Sequence, residues 1–280
     1  MTESQQTITR ETSLSGVGVH TGLSATITLK PAPPDHGIVF TRTDMPGCPS
    51  IPARVEFISG SERGTRLSRD GAEVRTVEHL LAALRSHQVD NLAIEMDGPE
   101  PPMEDGSALP FTRMLKTAGL RPQDAPRRSF FLPGPVYLVQ GEGVMVALPA
   151  EELRIAFTID FAHPHLRSQY LSLSLDPETF EGEIAPARTF GFLSDAEKLR
   201  KKGLIKGTTL QNTVVIGDEG VLNPEGLRFP DECVRHKILD LLGDLCLLRH
   251  PLRALIIAAK SGHAMNLALV RKIKEVAYEK

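Results

Sequence analysis

The segment from Arg235 to Leu245 constrains the fold of this chain most strongly. On a helix that advances about 100° per residue, one side of this segment is entirely aliphatic: Ile238, Leu241, Leu242 and Leu245. The other side carries ionisable groups: His236, Lys237, Asp240 and Asp244. We therefore predict a helix that buries its aliphatic side in a core and turns its polar side toward a cavity.

His236 and Asp240 are also spaced to bind one metal ion, because side chains at i and i+4 lie on the same face of a helix. An isolated pair of this kind is usually a surface ion pair. A second helical pattern from Thr76 to Leu84, however, also carries a histidine, His79, beside a free carboxylate, Glu78. Three ligands, an open position and a neighbouring base are typical of a catalytic zinc site.

Charge and cysteine content exclude several classes of protein. The chain has 280 residues, with 32 Lys and Arg against 35 Asp and Glu, so no basic field indicates nucleic-acid binding. The three cysteines form no Cys-x-x-Cys pair, which fits a reducing cytoplasm. Neither a signal-peptide pattern nor an apolar run of about 20 residues is present. We expect an unprocessed, soluble, cytoplasmic protein with no transmembrane segment and no obligate protein partner.

The order of patterns predicts an α+β protein of two domains. Strand patterns precede or flank the helical patterns in each half: 36–40, 53–57, 90–97, 136–139, 144–148, 155–161, 171–175 and 252–259. Residues 119–128 are Pro-rich and polar, as in an exposed linker, so we place the boundary near residue 126. The predicted domains are 1–126, with Glu78 and His79, and 127–280, with His236, Asp240 and His263.

Other polar residues leave two interpretations open. His20 lies in a glycine-rich turn, where it either approaches a ligand or bonds to backbone. Lys260 and His263 follow a buried strand and are candidates for a phosphate ligand and a general acid, or are an exposed lysine and an ordinary strand-end histidine. The charged stretch 193–202 is a solvated helix face or covers an apolar groove. His163 and His165 flank a proline, which favours a structural or solvated pair over a second metal site.

Taken together, six segments closely resemble the UDP-3-O-acyl-N-acetylglucosamine deacetylases (LpxC family), in order from about residue 7 to 275. They are residues 16–22, 76–80, 103–108, 187–192, 235–244 and 260–263. The resemblance implies two domains of similar topology, each a β-sheet packed against a pair of α-helices, with small inserted units and an active site between them.

It further implies an enzyme that binds one Zn²⁺ per chain and removes the N-acetyl group of UDP-3-O-(3-hydroxyacyl)-N-acetylglucosamine as acetate. This reaction is the committed step of lipid A biosynthesis. The binding partner that the resemblance implies is the substrate, a small UDP-sugar lipid precursor. The implied zinc ligands are His79, His236 and Asp240. Glu78 is the implied base and His263 the implied acid, oriented by Asp244, while Thr189 and Lys237 are expected to stabilise the oxyanion.

The resemblance also assigns substrate contacts. Phe161 is expected to stack on uracil beside Asp160, and Lys237 with Lys260 to neutralise the diphosphate. Residues 191–215 correspond to an inserted unit that encloses the acyl chain. Further substrate contacts are expected at His20, Phe190, Gly191, Leu199 and Leu210. Three departures from the family pattern affect the expected acyl-length preference rather than the chemistry: 64–66, Glu104 and 207–209.

Two other classes compete with a hydrolase. Two histidines and one carboxylate also form the facial triad of non-haem iron enzymes, so an Fe(II) oxidase is the first alternative. An oxidase needs neither a base such as Glu78 nor an Asp244–His263 pair, so hydrolysis is favoured if these residues converge. The second alternative is a nucleotide-sugar or acyl-chain binding module with a structural metal, in which Glu78→Ala leaves function unchanged.

Overall fold

In the computed structural model, which describes residues 3–280, the first half of the chain forms a five-stranded sheet with two helices. The sheet order is β2-β3-β9-β4-β5, and β4 runs parallel to β9 while the other neighbours are antiparallel. The bounds are β1 (Ser4–Ile8), β2 (Thr12–Val17), β3 (Ser24–Pro31), β4 (Ile38–Arg42), β5 (Ser50–Pro52), β6 (Ile58–Gly60), β7 (Arg66–Arg69), β8 (Ala72–Arg75), α1 (Glu78–Ser86), β9 (Leu92–Met96), α2 (Leu109–Ala118) and β10 (Leu120–Pro126).

Alternation of apolar residues explains the inner face of this sheet. In β3, Ala25, Ile27 and Leu29 are buried while the residues between them are not, as a side-chain period of two requires. Strands β6, β7 and β8 form a separate antiparallel sheet that precedes α1.

Two sequence predictions in this half are wrong. The predicted strand 53–57 contains a 3-10 turn, Val55–Phe57, in which Phe57 N–H donates to the carbonyl of Arg54. The predicted linker 119–128 contains β10, which pairs antiparallel with β1. Strand β10 is largely exposed and therefore needs few apolar side chains, and proline is tolerated at a sheet edge, so composition concealed this strand.

The second half forms a seven-stranded sheet with α5 and α6 packed against it. The central strand β19 pairs antiparallel with β13 on one side and parallel with β14 and β11 on the other. The bounds are β11 (Phe130–Phe131), β12 (Val136–Gln140), β13 (Gly143–Pro149), β14 (Arg154–Ile159), β15 (Gln169–Ser174), α3 (Pro177–Thr179), β16 (Phe190–Phe192), α4 (Ala196–Lys201), β17 (Val214–Gly217), β18 (Gly220–Val221), α5 (Glu232–Cys246), β19 (Leu252–Ala259), α6 (His263–Val276) and β20 (Tyr278–Glu279).

An inserted unit interrupts this half between β15 and α5. Its three-stranded sheet has the order β16-β17-β18, and a 3-10 turn at Leu193–Asp195 leads into α4. The charged stretch 193–202 is therefore helical, as predicted. A further helical turn, Phe180–Ile184, precedes the insert.

Helices α1 and α5 pack against each other at the centre of the molecule. A Cβ atom on Gly243 would lie 2.1 Å from the carbonyl oxygen of Glu78, so the absence of a side chain at Gly243 permits this close approach. The predicted α+β class, with sheets packed on helices in both halves, is confirmed. Within residues 3–280, every helix is too short or too polar to cross a lipid bilayer.

Candidate active site

The first turn of α1 and the polar side of α5 bring the three predicted metal ligands together. His79 follows the first residue of α1, and His236 and Asp240 lie one turn apart on α5. One donor atom from each lies within 4.8 Å of the others. His236 Nε2 is 3.3 Å and His79 Nε2 3.8 Å from the same oxygen, Asp240 Oδ1. All three side chains are buried, so the sequence spacing has produced an interior group rather than a surface ion pair.

Burial gives these ligands the protonation states that a metal requires. It lowers the pKa of His79 to about 3, with His236 acting in the same direction, and it also lowers the pKa of His236. Burial opposes ionisation of Asp240, but Lys237 and the surrounding histidines outweigh it and lower the carboxyl pKa. The site therefore holds two neutral imidazoles and one carboxylate.

An orphaned oxygen tests whether these residues fit a metal ion. Within residues 3–280, no hydrogen-bond donor reaches Asp240 Oδ1, although the residue is only 2 % exposed. The ring of His236 bonds through Nδ1 to the carbonyl of Ala187, at 3.1 Å. In a neutral ring this donation leaves the lone pair on Nε2, which faces Asp240. A buried acceptor without a donor is costly, and a cation between these atoms satisfies it, so the residues fit a metal ion.

Glu78 and His263 face each other beside the ligand group. Glu78 Oε1 lies 3.6 Å from His263 Nε2, and His263 Nδ1 lies 3.1 Å from Asp244 Oδ2. Burial raises the pKa of Glu78 to about 7. For His263, burial favours the neutral ring, but Asp240, Asp244 and Glu78 outweigh it and raise the pKa to about 9.

Glu78, Asp240 and His263 are also close enough to form a second set of ligands. The orphaned Asp240 Oδ1 favours the first set, because it lies near the Nε2 atoms of His79 and His236, whereas His263 Nε2 lies 3.6 Å from Asp240 Oδ2, which already pairs with Lys237. The neutral rings of His79 and His236 make the first set the better metal site.

The two predicted oxyanion-stabilising residues line the same cavity. Thr189 precedes β16 and is held by backbone hydrogen bonds to Gly106 and Val214, each 2.8 Å long. Lys237 lies on α5, and its Nζ is 2.5 Å from Asp240 Oδ2. Its ammonium group therefore reaches the candidate metal site, and the residue also lines the cavity.

A cavity of about 580 Å³ connects these groups with most of the predicted substrate contacts. Its lining includes the following residues from the sequence prediction: His20, Glu78, His79, Phe161, Thr189, Phe190, Gly191, Leu199, His236, Lys237, Asp240, Lys260 and His263. Phe161 packs edge-on against Phe190 and Phe192, with ring centroids 5.8 and 5.3 Å away. An aromatic side chain from the loop after β14 and two from the insert thus share one wall.

Two predicted contacts lie outside this lining. Leu210 is 37 % exposed and does not line the cavity. Asp160 also lies outside the lining, but its carboxylate is 2.8 Å from the ammonium of Lys260, which does line it. Lys260 has a second acidic partner, Glu142, at 3.0 Å. His163 and His165 pack with their rings 6.2 Å apart, outside both candidate metal groups.

Sequence reasoning missed several residues that hold the site together. Glu100 is buried and accepts hydrogen bonds from His20, Thr21 and Thr76. Arg188 is buried against Glu232, one turn before His236 on α5. In the sequence, Glu100 was marked only by its place in a Pro-rich turn. Arg188 was marked only because it belongs to residues 187–192, one of the segments that resemble the family.

Comparison with known proteins supplies the family. The family model described as UDP-3-O-acyl N-acetylglycosamine deacetylase (LpxC) matches residues 5–275. UDP-3-O-acyl-N-acetylglucosamine deacetylase of Myxococcus xanthus is 48% identical over 269 residues, which is 96% of this chain and 86% of that protein. The proteins of the same name from Syntrophotalea carbinolica and Bdellovibrio bacteriovorus are 46% and 42% identical, covering 96% of this chain and 87% and 89% of theirs.

These relatives are named deacetylases, and the predicted resemblance is confirmed. The match extends over nearly the whole chain rather than over α1 and α5 alone. The chain therefore belongs to the UDP-3-O-acyl-N-acetylglucosamine deacetylase family.

Proposed function

We propose that this protein is a zinc metalloamidase that hydrolyses the N-acetyl group of UDP-3-O-(3-hydroxyacyl)-N-acetylglucosamine. The products are acetate and UDP-3-O-(3-hydroxyacyl)-glucosamine, and the reaction is the committed step of lipid A biosynthesis. The observation that carries the proposal is a buried His79, His236 and Asp240 group that opens into the same cavity as Glu78 and His263. A binding module with a structural metal has no use for this facing carboxylate and imidazole.

The same three residues would hold one zinc ion. When bound there, zinc supplies a Lewis acid that polarises the amide carbonyl and lowers the pKa of water. This chemistry suits a site whose two imidazoles are kept neutral by burial.

Glu78 and His263 divide the proton transfers of amide hydrolysis. Glu78 takes a proton from the attacking water while the water oxygen forms a bond to the carbonyl carbon. His263 gives a proton to the amide nitrogen, so that the C–N bond breaks with a neutral amine as leaving group. Their pKa values, about 7 and about 9, leave one group able to accept and the other able to donate near neutral pH. Asp244 holds the His263 ring by its Nδ1 side, 3.1 Å away.

Charge on the carbonyl oxygen is stabilised from the cavity side. The Thr189 hydroxyl donates a hydrogen bond to this oxygen, and the Lys237 ammonium adds positive charge beside it. Both residues sit on backbone that is already held in place before the reaction begins. Thr189 is fixed by the paired strands of the insert, and Lys237 by α5 itself.

The remaining cavity accounts for the two ends of the substrate. In the proposed pose, uracil stacks on Phe161 beside Asp160, and Lys260 with Lys237 faces the diphosphate. The insert 191–215 encloses the acyl chain, because Leu199 and the aromatic residues of β16 give that side of the cavity an apolar wall.

We also propose that the chain consists of two domains, 1–126 and 127–280. In this division, Glu78 and His79 of the first domain approach the proposed ligands of the second domain across the interface.

Acetate release tests reaction and metal together. Metal-stripped protein is given UDP-3-O-(3-hydroxyacyl)-N-acetylglucosamine, and acetate is measured as Zn²⁺ is added back. We expect activity to rise up to one equivalent of zinc. Absence of release at every metal loading, from folded protein that binds zinc, would contradict the proposal. Turnover that requires Fe(II) and consumes O₂ would establish the oxidase alternative.

A further inference from the structure

Thr65 connects the two sides of the active site, although the sequence pattern gave it no role. It is fully buried and directly precedes β7 in the small sheet of β6, β7 and β8. Strand β7 is fixed by antiparallel pairing with β8 and by the buried side chain of Leu67. The small sheet therefore holds Thr65 at a defined place between α1 and α5.

Two groups of Thr65 bond to two different carboxylates. Its backbone N–H donates to Glu78 Oε2 at 2.9 Å. Its hydroxyl donates to Asp244 Oδ1, and the hydroxyl oxygen lies 3.4 Å from His263 Nδ1. Asp244 accepts in addition from Asn266 and His263 through its other oxygen, at 2.9 and 3.1 Å. Among residues 3–280, Thr65 alone hydrogen-bonds to both Glu78 and Asp244.

These contacts join three separate elements. Glu78 begins α1, Asp244 lies near the end of α5 and His263 begins α6. The separation of Glu78 from His263 is thus set partly by the packing of three helices and partly by one residue bonded to both sides. Asp244 uses one carboxylate oxygen for Thr65 and the other for His263, so the hydroxyl fixes the rotation of the carboxylate that orients the ring.

We propose that Thr65 is a positioning residue that sets the geometry of the base Glu78 relative to the acid His263. The inference rests on the proposed function, because it assigns Thr65 to the two proton-transfer groups of that reaction. The backbone N–H orients Glu78, and the hydroxyl orients Asp244 and, through it, the imidazole. A misplacement of about 1 Å in such groups reduces turnover by about 100-fold without requiring weaker substrate binding.

The test separates the hydroxyl from the rest of the residue. Thr65→Ser keeps the hydroxyl, Thr65→Val keeps the shape without it, and Thr65→Ala removes it without adding bulk. All three keep the backbone N–H to Glu78. The matched control is Thr7→Val, because Thr7 is also fully buried and its hydroxyl oxygen accepts a hydrogen bond, from the backbone N–H of Ala32 at 3.1 Å, outside the cavity.

Each zinc-loaded variant is measured for kcat, KM, melting temperature and metal content. We expect Thr65→Val and Thr65→Ala to lose about 10- to 100-fold in kcat with nearly unchanged KM and metal content, as for residues that orient metal-site groups. Thr65→Ser should retain most of the wild-type kcat. Thr7→Val should lower the melting temperature and leave kcat, KM and metal content unchanged. The downfield proton signal of His263 Nδ1–H, assigned by its absence in His263→Ala, should move upfield in the Val and Ala variants alone.

Several outcomes would overturn the inference. One is wild-type kcat and an unmoved His263 signal in Thr65→Val or Thr65→Ala, with the melting temperature lowered as in Thr7→Val. If Thr65→Val does not fold, the comparison of Thr65→Ala with Thr65→Ser tests the inference instead, since neither substitution adds volume. A wild-type protein that releases no acetate contradicts the proposed function instead, and the imidazole signal then still tests whether Thr65 positions His263.

Discussion

At the scale of the residue, Glu100 is a buried carboxylate whose hydrogen-bond partners are all uncharged groups. It accepts from the backbone of His20 and Thr21, from the hydroxyl of Thr21 at 2.8 Å and from that of Thr76 at 2.7 Å. Thr76 has a φ of 52°, which is unfavourable for a β-branched residue, and lies two residues before Glu78. Glu100 therefore stabilises a strained turn that leads directly into the proposed base and first metal ligand.

We predict that Glu100→Gln lowers both stability and turnover. The amide N–H₂ introduced by the substitution would face the hydrogen-bond donors that now surround the Glu100 carboxylate. An unsatisfied buried polar group of this kind costs about 1–3 kcal/mol in free energy of unfolding. Glu95→Gln is the control, because Glu95 forms an exposed ion pair with Lys30 that contributes about 1 kcal/mol or less. Thermal unfolding and acetate release measure the two effects. Equal stability of the two variants would show that Glu100 does not hold the turn.

A second residue-scale prediction separates base from ligand at Glu78. Glu78→Gln should retain one zinc per chain but lose about 10²- to 10⁴-fold in kcat, the usual contribution of a general base. Metal analysis and acetate release distinguish the roles. Loss of zinc along with activity would favour the second ligand set, in which Glu78 joins Asp240 and His263.

The sequence predicted part of this site for a definite physical reason. Helical periodicity relates His236 to Asp240 and separates them from the apolar stripe of α5, so this pair of candidate ligands could be proposed without a structure. Thr65 and Glu100 lie outside helices, and their partners are 13 to 198 positions away in the chain. Loop residues have no periodicity, so contacts of this kind emerge only from the folded chain.

At the scale of the element, Gly243 shows tertiary packing overriding helix propensity. Replacing a glycine inside a helix with alanine usually stabilises the helix by about 1 kcal/mol. In α5, however, the added Cβ would lie 2.1 Å from the Glu78 carbonyl oxygen and 2.7 Å from its Cα. Backbone atoms cannot rotate away as a side chain can, so α1 would have to move.

We predict that Gly243→Ala destabilises the protein and reduces activity. Overpacking costs about 1–3 kcal/mol, which cancels or exceeds the gain in helix propensity. Displacing the first turn of α1 would also move Glu78 and His79 relative to His236. Gly182→Ala is the control, since Gly182 lies in the helical turn 180–184, where an added Cβ would have no neighbouring atom within 4 Å. Gly243→Ala with raised melting temperature and full kcat would contradict this packing argument.

Elements were predicted well where apolar residues recur at a regular spacing and poorly where they do not. Strand β3 alternates buried and partly exposed residues, and helices α1 and α5 each carry an apolar stripe at helical spacing, so their patterns were visible in the sequence although nearly all of both helices is buried. Strand β10 is largely exposed, and the 3-10 turn 55–57 has no buried residue. Without buried positions that demand apolar residues at a regular spacing, neither segment shows a clear sequence pattern, so both were misassigned.

At the scale of the whole molecule, the insert of the second half is fastened to loops of the first half across the cavity. Arg63 pairs with Asp195 at 2.8 Å, and Glu62 pairs with Lys202 at 2.6 Å. The ring of His20 lies between the two parts, 3.0 Å from the carbonyl of Arg63 and 3.4 Å from the backbone N–H of Ile205. The proposed acyl-chain enclosure is thus closed by contacts between the two halves.

The pair Glu62–Lys202 tests this closure without touching the substrate, because neither residue lines the cavity. An exposed pair contributes up to about 1 kcal/mol, so Glu62→Lys should raise KM up to about fivefold for a long-chain substrate and leave kcat nearly unchanged. The effect should shrink for a substrate with a truncated acyl chain, which depends less on the insert, and at 1 M salt, where exposed charges are screened. Combining Glu62→Lys with Lys202→Glu restores the attraction and should restore KM. An equal rise in KM for long and truncated substrates would place the effect at the nucleotide end of the cavity, and the insert would then not enclose the acyl chain in the proposed way.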